Sequence, residues 1–225
     1  MRDRAQMFSA FHKQGLDMDK GYYQCQRQEV YELAPASVKK VLEIGCAAGR
    51  FRLIFPADVE YWGVEPVHEA AEQAKGKGIK VLCGTYDAVC GQLPDGYFDL
   101  VVCNDVIEHV SDPGPFLASL KGKLTAEGAM IGSIPNVRFW GNLLNLLVRR
   151  DWKYEDSGVL DKTHLRFFTV RSFRRLMKSA GFHLSLLRGI ESTRMKILKV
   201  IFSPILLFVG FDICHMQIMF KADKR

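Results

Sequence analysis

The 225-residue sequence is poor in bridging and metal-binding patterns: its six cysteines (Cys25, Cys46, Cys83, Cys90, Cys103 and Cys214) form no CxxC pair and sit in no His-rich run. A zinc ribbon and a disulfide framework are thereby excluded, and the thiols read as reduced, mostly buried groups of a cytoplasmic protein. The opening MRDRAQMFSAFHKQ has no apolar run of roughly 7 to 15 residues, so no secretory signal is expected. Internal repeats and low-complexity segments are also lacking. No stretch reaches the roughly 18 to 20 apolar residues that span a bilayer. The nearest approach, 197–211, follows Arg194 and Lys196 and contains Lys199 and Pro204. It reads as a buried helix broken at Pro204, with an interfacial anchor or a wall of an apolar substrate pocket as the alternatives.

What is present suits one compact α/β domain. Hydrophobic residues make up 48% and charged residues 25%, enough for a real core, which excludes disorder, collagen and coiled coil. The net charge of +6 is unevenly placed: residues 1–137 carry 14 basic and 18 acidic side chains, a balance of −4, and residues 138–225 carry 17 and 7, a balance of +10. A basic C-terminal part attracts an anionic partner, whether a nucleotide-linked sugar, a phospholipid surface or a nucleic acid, without choosing among them.

Along the chain, an amphipathic patch from Tyr22 to Leu33 predicts one helix ending before Pro35. Short apolar runs at 40–45, 60–65, 79–83, 98–103 and 129–134 predict buried strands. Helical segments alternate with them, notably His68 to Lys75 and Pro115 to Leu124, as in an open parallel sheet with helices on both faces. A helix near 139–149, a polar aromatic loop over 151–168, a helix over 170–180 closed by Gly181, a strand over 182–188 and a last strand near 214–221 complete the expectation.

The run VLEIGCAAG at 41–49 is a strand entering a glycine-bearing turn, with Glu43, Gly45 and Gly49 spaced as an acidic residue followed by GxxxG. Such a turn lets backbone approach a ligand where a Cβ would clash, and it falls at the carboxyl ends of the strands, where open sheets bind ligands. It is neither the dinucleotide fingerprint nor a phosphate-binding loop.

Together with WGVEP (62–66), CGTYD (83–87), FDLVVCNDVIEHVSDP (98–113) and GAMIGSIPN (128–136), in that order, this run resembles the class I S-adenosylmethionine-dependent methyltransferases. The resemblance implies a Rossmann-like, doubly wound, seven-stranded sheet, mostly parallel with the last strand antiparallel. It also implies one methyltransferase domain over 1–225: an N-terminal helical cap (1–37), a cofactor-binding half (38–134) and an acceptor-binding half (135–225). S-adenosylmethionine is the implied cofactor and S-adenosylhomocysteine its product.

Carried over residue by residue, Glu43 orients the turn or meets the methionine ammonium, and Gly45, Cys46, Ala47 and Gly49 pass the amino-acid part of the cofactor. Ala47 stands where many members have glycine. Glu65, followed by Pro66, accepts from both ribose hydroxyls, a role that suits a group with two acceptor oxygens and no donor. Thr85 and Tyr86 occupy the turn beside the adenine, with Thr85 where many members have Asp. Asn104 lies under the methionine arm, and Arg27, Tyr22 and Tyr23 close over it or simply lie on a helix surface.

On the acceptor side, transfer to a hydroxyl needs a base for its proton, and histidine is the natural one. His109 in VIEHV and His164 in DKTHLRFF are the two candidates. Their segments resemble those of quinone-biosynthesis O-methyltransferases and, through PNVRFW and DKTHLRFFT, methyltransferases of sugar and envelope-polysaccharide pathways. Asp105, Glu108, His109 and His164 also resemble a divalent-metal site of some relatives, although no metal is predicted. The loop aromatics Trp152, Tyr154, Phe167 and Phe168 suit a sugar ring, an aromatic acceptor or a lid packed on itself. Arg166 and the face formed by Arg171, Arg174, Arg175 and Lys178 either grip a phosphate or are a solvated basic surface.

The expectation is thus an O-methyltransferase of a small or carrier-linked, possibly anionic acceptor, foremost a sugar of an envelope polysaccharide precursor. A quinone or phenol O-methyltransferase is the first alternative. A non-catalytic cofactor-binding scaffold is the alternative of another class. The expected location is cytoplasmic, with contact at the inner membrane face through 194–211 left open. Nucleic acid is not expected, because the basic residues are not interleaved with an RNA-binding module.

Overall fold

The computed structural model describes residues 27–190 and 210–224. Most of the 197–211 stretch, Tyr22, Tyr23 and the start of the expected N-terminal helix lie outside the described residues; of that helix one turn is described, α1 (Gln28–Tyr31).

Seven strands form one sheet: β1 (Lys40–Ile44), β2 (Glu60–Glu65), β3 (Lys80–Cys83), β4 (Phe98–Asn104), β5 (Leu124–Pro135), β6 (Phe182–Gly189) and β7 (Gln217–Lys224), in the order β3-β2-β1-β4-β5-β7-β6. The first five run parallel, and β7 is antiparallel to both its neighbours, β5 and β6. This is the expected doubly wound sheet with its last strand reversed. The chain steps outward from β1 to β3 and then crosses back to β4, so the crevice of the fold opens at the carboxyl ends of β1 and β4.

The sheet is buried on both faces because its strands carry apolar residues at both parities. Leu42 and Val101 enter one core, while Val41, Leu100 and Val102 enter the other, as the two-residue side-chain period requires. In the first core Phe173 lies 4.9 Å from Phe220, ring centre to ring centre. Burying such a ring stabilises the fold by about 2–3 kcal/mol. At Gly132, in the middle of β5, a Cβ would lie 2.0 Å from the Cys103 carbonyl oxygen, so β4 and β5 meet there only because there is no side chain.

The helices are α2 (His68–Lys75), α3 (Tyr86–Val89), α4 (Pro113–Lys123), α5 (Trp140–Leu144) and α6 (Val170–Ser179). A π-helical turn over Asn145–Arg149 continues α5. Helix α6 opens with a capping box: Thr169 Oγ1 accepts the Ser172 amide at 3.1 Å and Ser172 Oγ accepts the Thr169 amide at 2.9 Å. Its Phe173 and Met177, one turn apart, are buried, while Arg171, Arg174, Arg175 and Lys178 are exposed.

Two boundaries differ most from the sequence expectation. Strand β7 starts at Gln217 and not near 214, because Phe211–Cys214 forms a 3-10 turn tied down at Asp212. There Arg138 pairs with the Asp212 carboxylate at 3.0 Å and Asn136 Nδ2 donates to the Asp212 carbonyl at 2.7 Å. Strand β5 reaches back to Leu124, since buried Leu124 runs straight on from α4. Among the described residues, no helix is long and apolar enough to cross a membrane. Cys46, Cys83, Cys90, Cys103 and Cys214 are free thiols, of which Cys46, Cys103 and Cys214 are buried.

Candidate active site

Beyond β1 the chain turns across the carboxyl end of the sheet through Gly45, Ala47 and Gly49, with φ of +69°, +44° and +71°. Glycine adopts such angles freely. Space is equally restrictive: a Cβ on Gly45 would meet Val106 Cγ2 at 3.0 Å, and one on Gly49 would meet Ile79 Cδ1 at 2.6 Å. Ala47 holds its left-handed conformation at a cost of order 1 kcal/mol.

Glu65 braces this turn. Its carboxylate, 1% exposed, accepts the Ala47 amide at 2.9 Å through one oxygen and the Val67 amide at 2.9 Å through the other. A carboxylate has about four acceptor sites, so bracing two amides is compatible with also accepting hydroxyls of a ligand. The sequence reading gave Glu65 the second task and missed the first. Pro66 is half-buried between the two anchored residues.

Glu43 lies in the core, where Tyr61 donates its hydroxyl to Oε2 at 2.9 Å. Burial pushes the Glu43 carboxyl up to about 8, opposed by the Tyr61 bond and reinforced by the charge of Glu65. At neutral pH it is a protonated acid that anchors the strand below the turn. The buried Cys46 thiol is likewise pushed up by desolvation. Thr85 is the N-cap of α3 without a side-chain cap bond. The Tyr86 ring packs edge-on against Phe116 at 5.2 Å, with its hydroxyl on Ser119 Oγ at 2.8 Å. The Tyr86 side chain therefore belongs to the core and not to the crevice, where the sequence placed it.

At the end of β4, the Asn104 Oδ1 is buried without a hydrogen-bond partner. An orphan acceptor costs about 1–3 kcal/mol unless a ligand supplies the donor. This orphan acceptor and the braced glycine turn are compatible with S-adenosylmethionine, whose ammonium is a donor of the kind the Asn104 oxygen lacks.

Asp105 departs from the sequence reading. Its φ of +52° turns the carboxylate toward β5 and β7, where it pairs with Arg27 and accepts from Ser133 Oγ at 2.9 Å and Gln217 Nε2 at 3.1 Å. Arg27 also donates to Gln217 Oε1. Asp105 thus contributes no ligand atom to the group formed by Glu108, His109 and His164, with which the sequence grouped it, although its charge reaches Glu108.

Those three do come together. The 3-10 turn Ile107–His109 puts Glu108 at 0% exposure, and its backbone carbonyl accepts the Leu165 and Arg166 amides, both at 2.9 Å, so the distant loop is pinned to it. His109 Nδ1 lies 3.2 Å from the Thr163 carbonyl and His164 Nδ1 lies 3.0 Å from the Val159 carbonyl. A carbonyl only accepts, so each Nδ1 carries the hydrogen of these bonds and Nε2 is the nitrogen left for a ligand. The rings stand 4.8 Å apart at 69°, and His164 Nε2 is 3.9 Å from Glu108 Oε1.

Neither Glu108 carboxyl oxygen has a hydrogen-bond partner. Burial, then the charge of Asp105, raises the Glu108 carboxyl well above its ordinary range. Burial, then the neighbouring His164, lowers the His109 imidazole to about 4. One ligand atom from each of Glu108, His109 and His164 falls within 4.8 Å of the others. Two imidazole nitrogens anchored from behind and one carboxylate form a donor set that fits a divalent transition metal, which would also satisfy the orphan Glu108 oxygens. An aromatic wall stands beside His164: Phe167 at 6.4 Å, with Trp152 and Tyr154 at 5.5 and 6.2 Å from Phe167.

Comparison with known proteins supplies the family and agrees with the fold. Residues 19–186 match a family model described as a methyltransferase domain. The chain is 33% identical over 100 residues to a ubiquinone biosynthesis O-methyltransferase of Caulobacter sp. (strain K31), covering 41% of this chain and 39% of that protein. It is 28% identical over 163 residues to the mitochondrial ubiquinone biosynthesis O-methyltransferase of Schizosaccharomyces pombe, covering 68% and 58%. The matches thus span well under two thirds of these curated relatives' lengths. Among solved structures, a SAM-dependent methyltransferase from Archaeoglobus fulgidus has the same fold, with a TM-score of 0.64 at 20% identity over 88% of this chain and 91% of that one.

Proposed function

The chain belongs to the class I S-adenosylmethionine-dependent methyltransferases, and from that premise we propose that it methylates an oxygen, with His164 receiving the hydroxyl proton and His109 orienting the acceptor. The observation that carries this reading is the buried cluster of two Nδ1-anchored imidazoles and an unpartnered carboxyl beside the crevice. The cofactor supplies a methyl group on a positively charged sulfonium, so the acceptor needs alignment and loss of one proton.

The residues divide that work. Gly45 to Gly49, braced by Glu65, hold the cofactor's amino-acid and ribose parts, and Asn104 fixes the methionine arm. His164 takes the acceptor's proton at Nε2 as the acceptor oxygen bonds to the methyl and the methyl–sulfur electron pair returns to the cofactor's sulfur; Glu108 Oε1 lies 3.9 Å from that nitrogen, beside the imidazolium formed. His109, held neutral by burial, keeps its lone pair toward the acceptor hydroxyl. If a divalent ion is bound, Glu108, His109 and His164 would hold it, and it would lower the pKa of the acceptor hydroxyl. Activity unchanged by exhaustive chelation would remove that variant of the reading.

A ring-bearing hydroxyl is the acceptor best supported. The names of the curated relatives and the Trp152, Tyr154 and Phe167 wall favour a quinol or phenol. The PNVRFW and DKTHLRFFT segments support a sugar of a polysaccharide precursor as the second reading. The test is a labelled-methyl assay over quinols, phenols, nucleotide sugars and lipid-linked glycans, with calorimetry of cofactor binding in the same preparation. His164→Ala should lower kcat by roughly 10²–10⁴ with cofactor affinity kept. Full activity in both His164→Ala and His109→Ala would defeat the proposal.

A further inference from the structure

The helical segment 140–149 carries its apolar side chains outward. Trp140, Leu144, Leu146, Leu147 and Val148 are all exposed, Leu147 and Val148 at 73% and 70%, and together form an apolar surface stripe along the segment. An ordinary amphipathic helix turns such a stripe to the core. Exposed Met216 adjoins it across a groove of about 280 Å³, lined by Phe139, Trp140, Leu144, Arg149, Val159 and Met216. Val159, which lines the groove, is also the residue whose carbonyl accepts from His164 Nδ1, so the groove and the histidine cluster share one wall residue.

Charge distinguishes the occupants of this face. Arg149, Arg150 and Lys153 are exposed at its C-terminal end, and Asp151 is the one acidic residue between positions 138 and 153. A second copy docked about a two-fold axis would bring these cations together. An anionic bilayer accepts both features at once: the leucines and tryptophan enter the headgroup boundary and the cations meet lipid phosphates.

We propose that the 140–153 segment is a docking surface for anionic phospholipid, which lays the groove against a membrane. Docking concerns a face outside the catalytic cluster and stands whichever acceptor is methylated.

Vesicle flotation of the full chain tests it, using phosphatidylcholine alone and phosphatidylcholine mixed with phosphatidylglycerol. Binding is expected to the anionic vesicles, weakened by salt, and to fall roughly tenfold or more in the double variant Leu147→Asp/Val148→Asp and in Arg149→Glu. The double variant alters exposed side chains, and unchanged cofactor binding checks its fold. Failure of the wild type to float with anionic vesicles, or undiminished flotation of the double variant, overturns the proposal. So does a dimer in solution that the double variant dissolves, which would give the face to a second copy.

Discussion

Replacing Glu43 by Gln keeps the shape of the side chain and an acceptor for the Tyr61 hydroxyl while removing a titration. The native carboxyl is raised from 4.5 to about 8 by burial, so in this interval the folded protein holds a proton that the unfolded chain has released. The sign follows: wild-type stability attributable to Glu43 is intact below about pH 4.5 and is lost as the pH rises through about 8. Each pH unit between these limits is worth about 1.4 kcal/mol, so the difference in unfolding free energy between Glu43→Gln and wild type should grow in the variant's favour by about 3 kcal/mol from pH 5.5 to 7.5. Glu108 titrates in both proteins and cancels in the difference. Urea unfolding followed by tryptophan fluorescence at constant ionic strength measures it. Curves that stay parallel within about 0.5 kcal/mol would show that Glu43 is ionised in the folded protein, and the account of it as a neutral anchor would fail.

Glu65→Ala should leave the Ala47 and Val67 amides unpaired, lowering stability by about 2–4 kcal/mol and cofactor affinity by roughly a hundredfold; retained affinity by calorimetry would contradict the bracing role. Gly132→Ala should destabilise by about 3 kcal/mol or more, since the new Cβ meets the Cys103 carbonyl, and a variant that melts with the wild type would refute that contact. His109 is held near 4 against an ordinary 6.5, so the unfolded state binds the extra proton between these values and stability falls by about 3 kcal/mol as the pH drops through them. His109→Asn, which keeps a donor for the Thr163 carbonyl, should flatten that acid limb in denaturant titrations from pH 7 to 4.

Local chemistry made most of the frame legible. Strands β1, β2 and β4 stand out as apolar runs too short for helices, and His68 to Lys75 spans the helix that the alternation calls for. The glycine turn was readable because its constraint is carried by adjacent residues. What escaped notice depends on distant partners. Asp105 is claimed by Arg27 and Gln217, 78 and 112 positions away, and no spacing rule links them. Tyr86 and Ser119 meet across two elements, so motif position alone put Tyr86 in the crevice. The sequence grouped Glu108 with His109 and His164, but its burial depends on the 161–166 loop, whose Leu165 and Arg166 amides bond to its carbonyl. The apolar 139–149 segment reads as an ordinary helix, because the sequence does not say which side receives the core.

Strand β7 follows β6 in the chain yet lies between β5 and β6 in the sheet. Strand β6 therefore has no hydrogen-bonded neighbour until residues 217–224 arrive, and until then β5 is an open edge. During synthesis the five parallel strands can assemble from the amino-terminal side, but the sheet's other flank must wait for its last strand. A nascent chain paused near residue 210 would expose the long, apolar β5 border to neighbouring polypeptides. The order of threading thus sets a window of vulnerability to misassociation that the finished protein no longer displays.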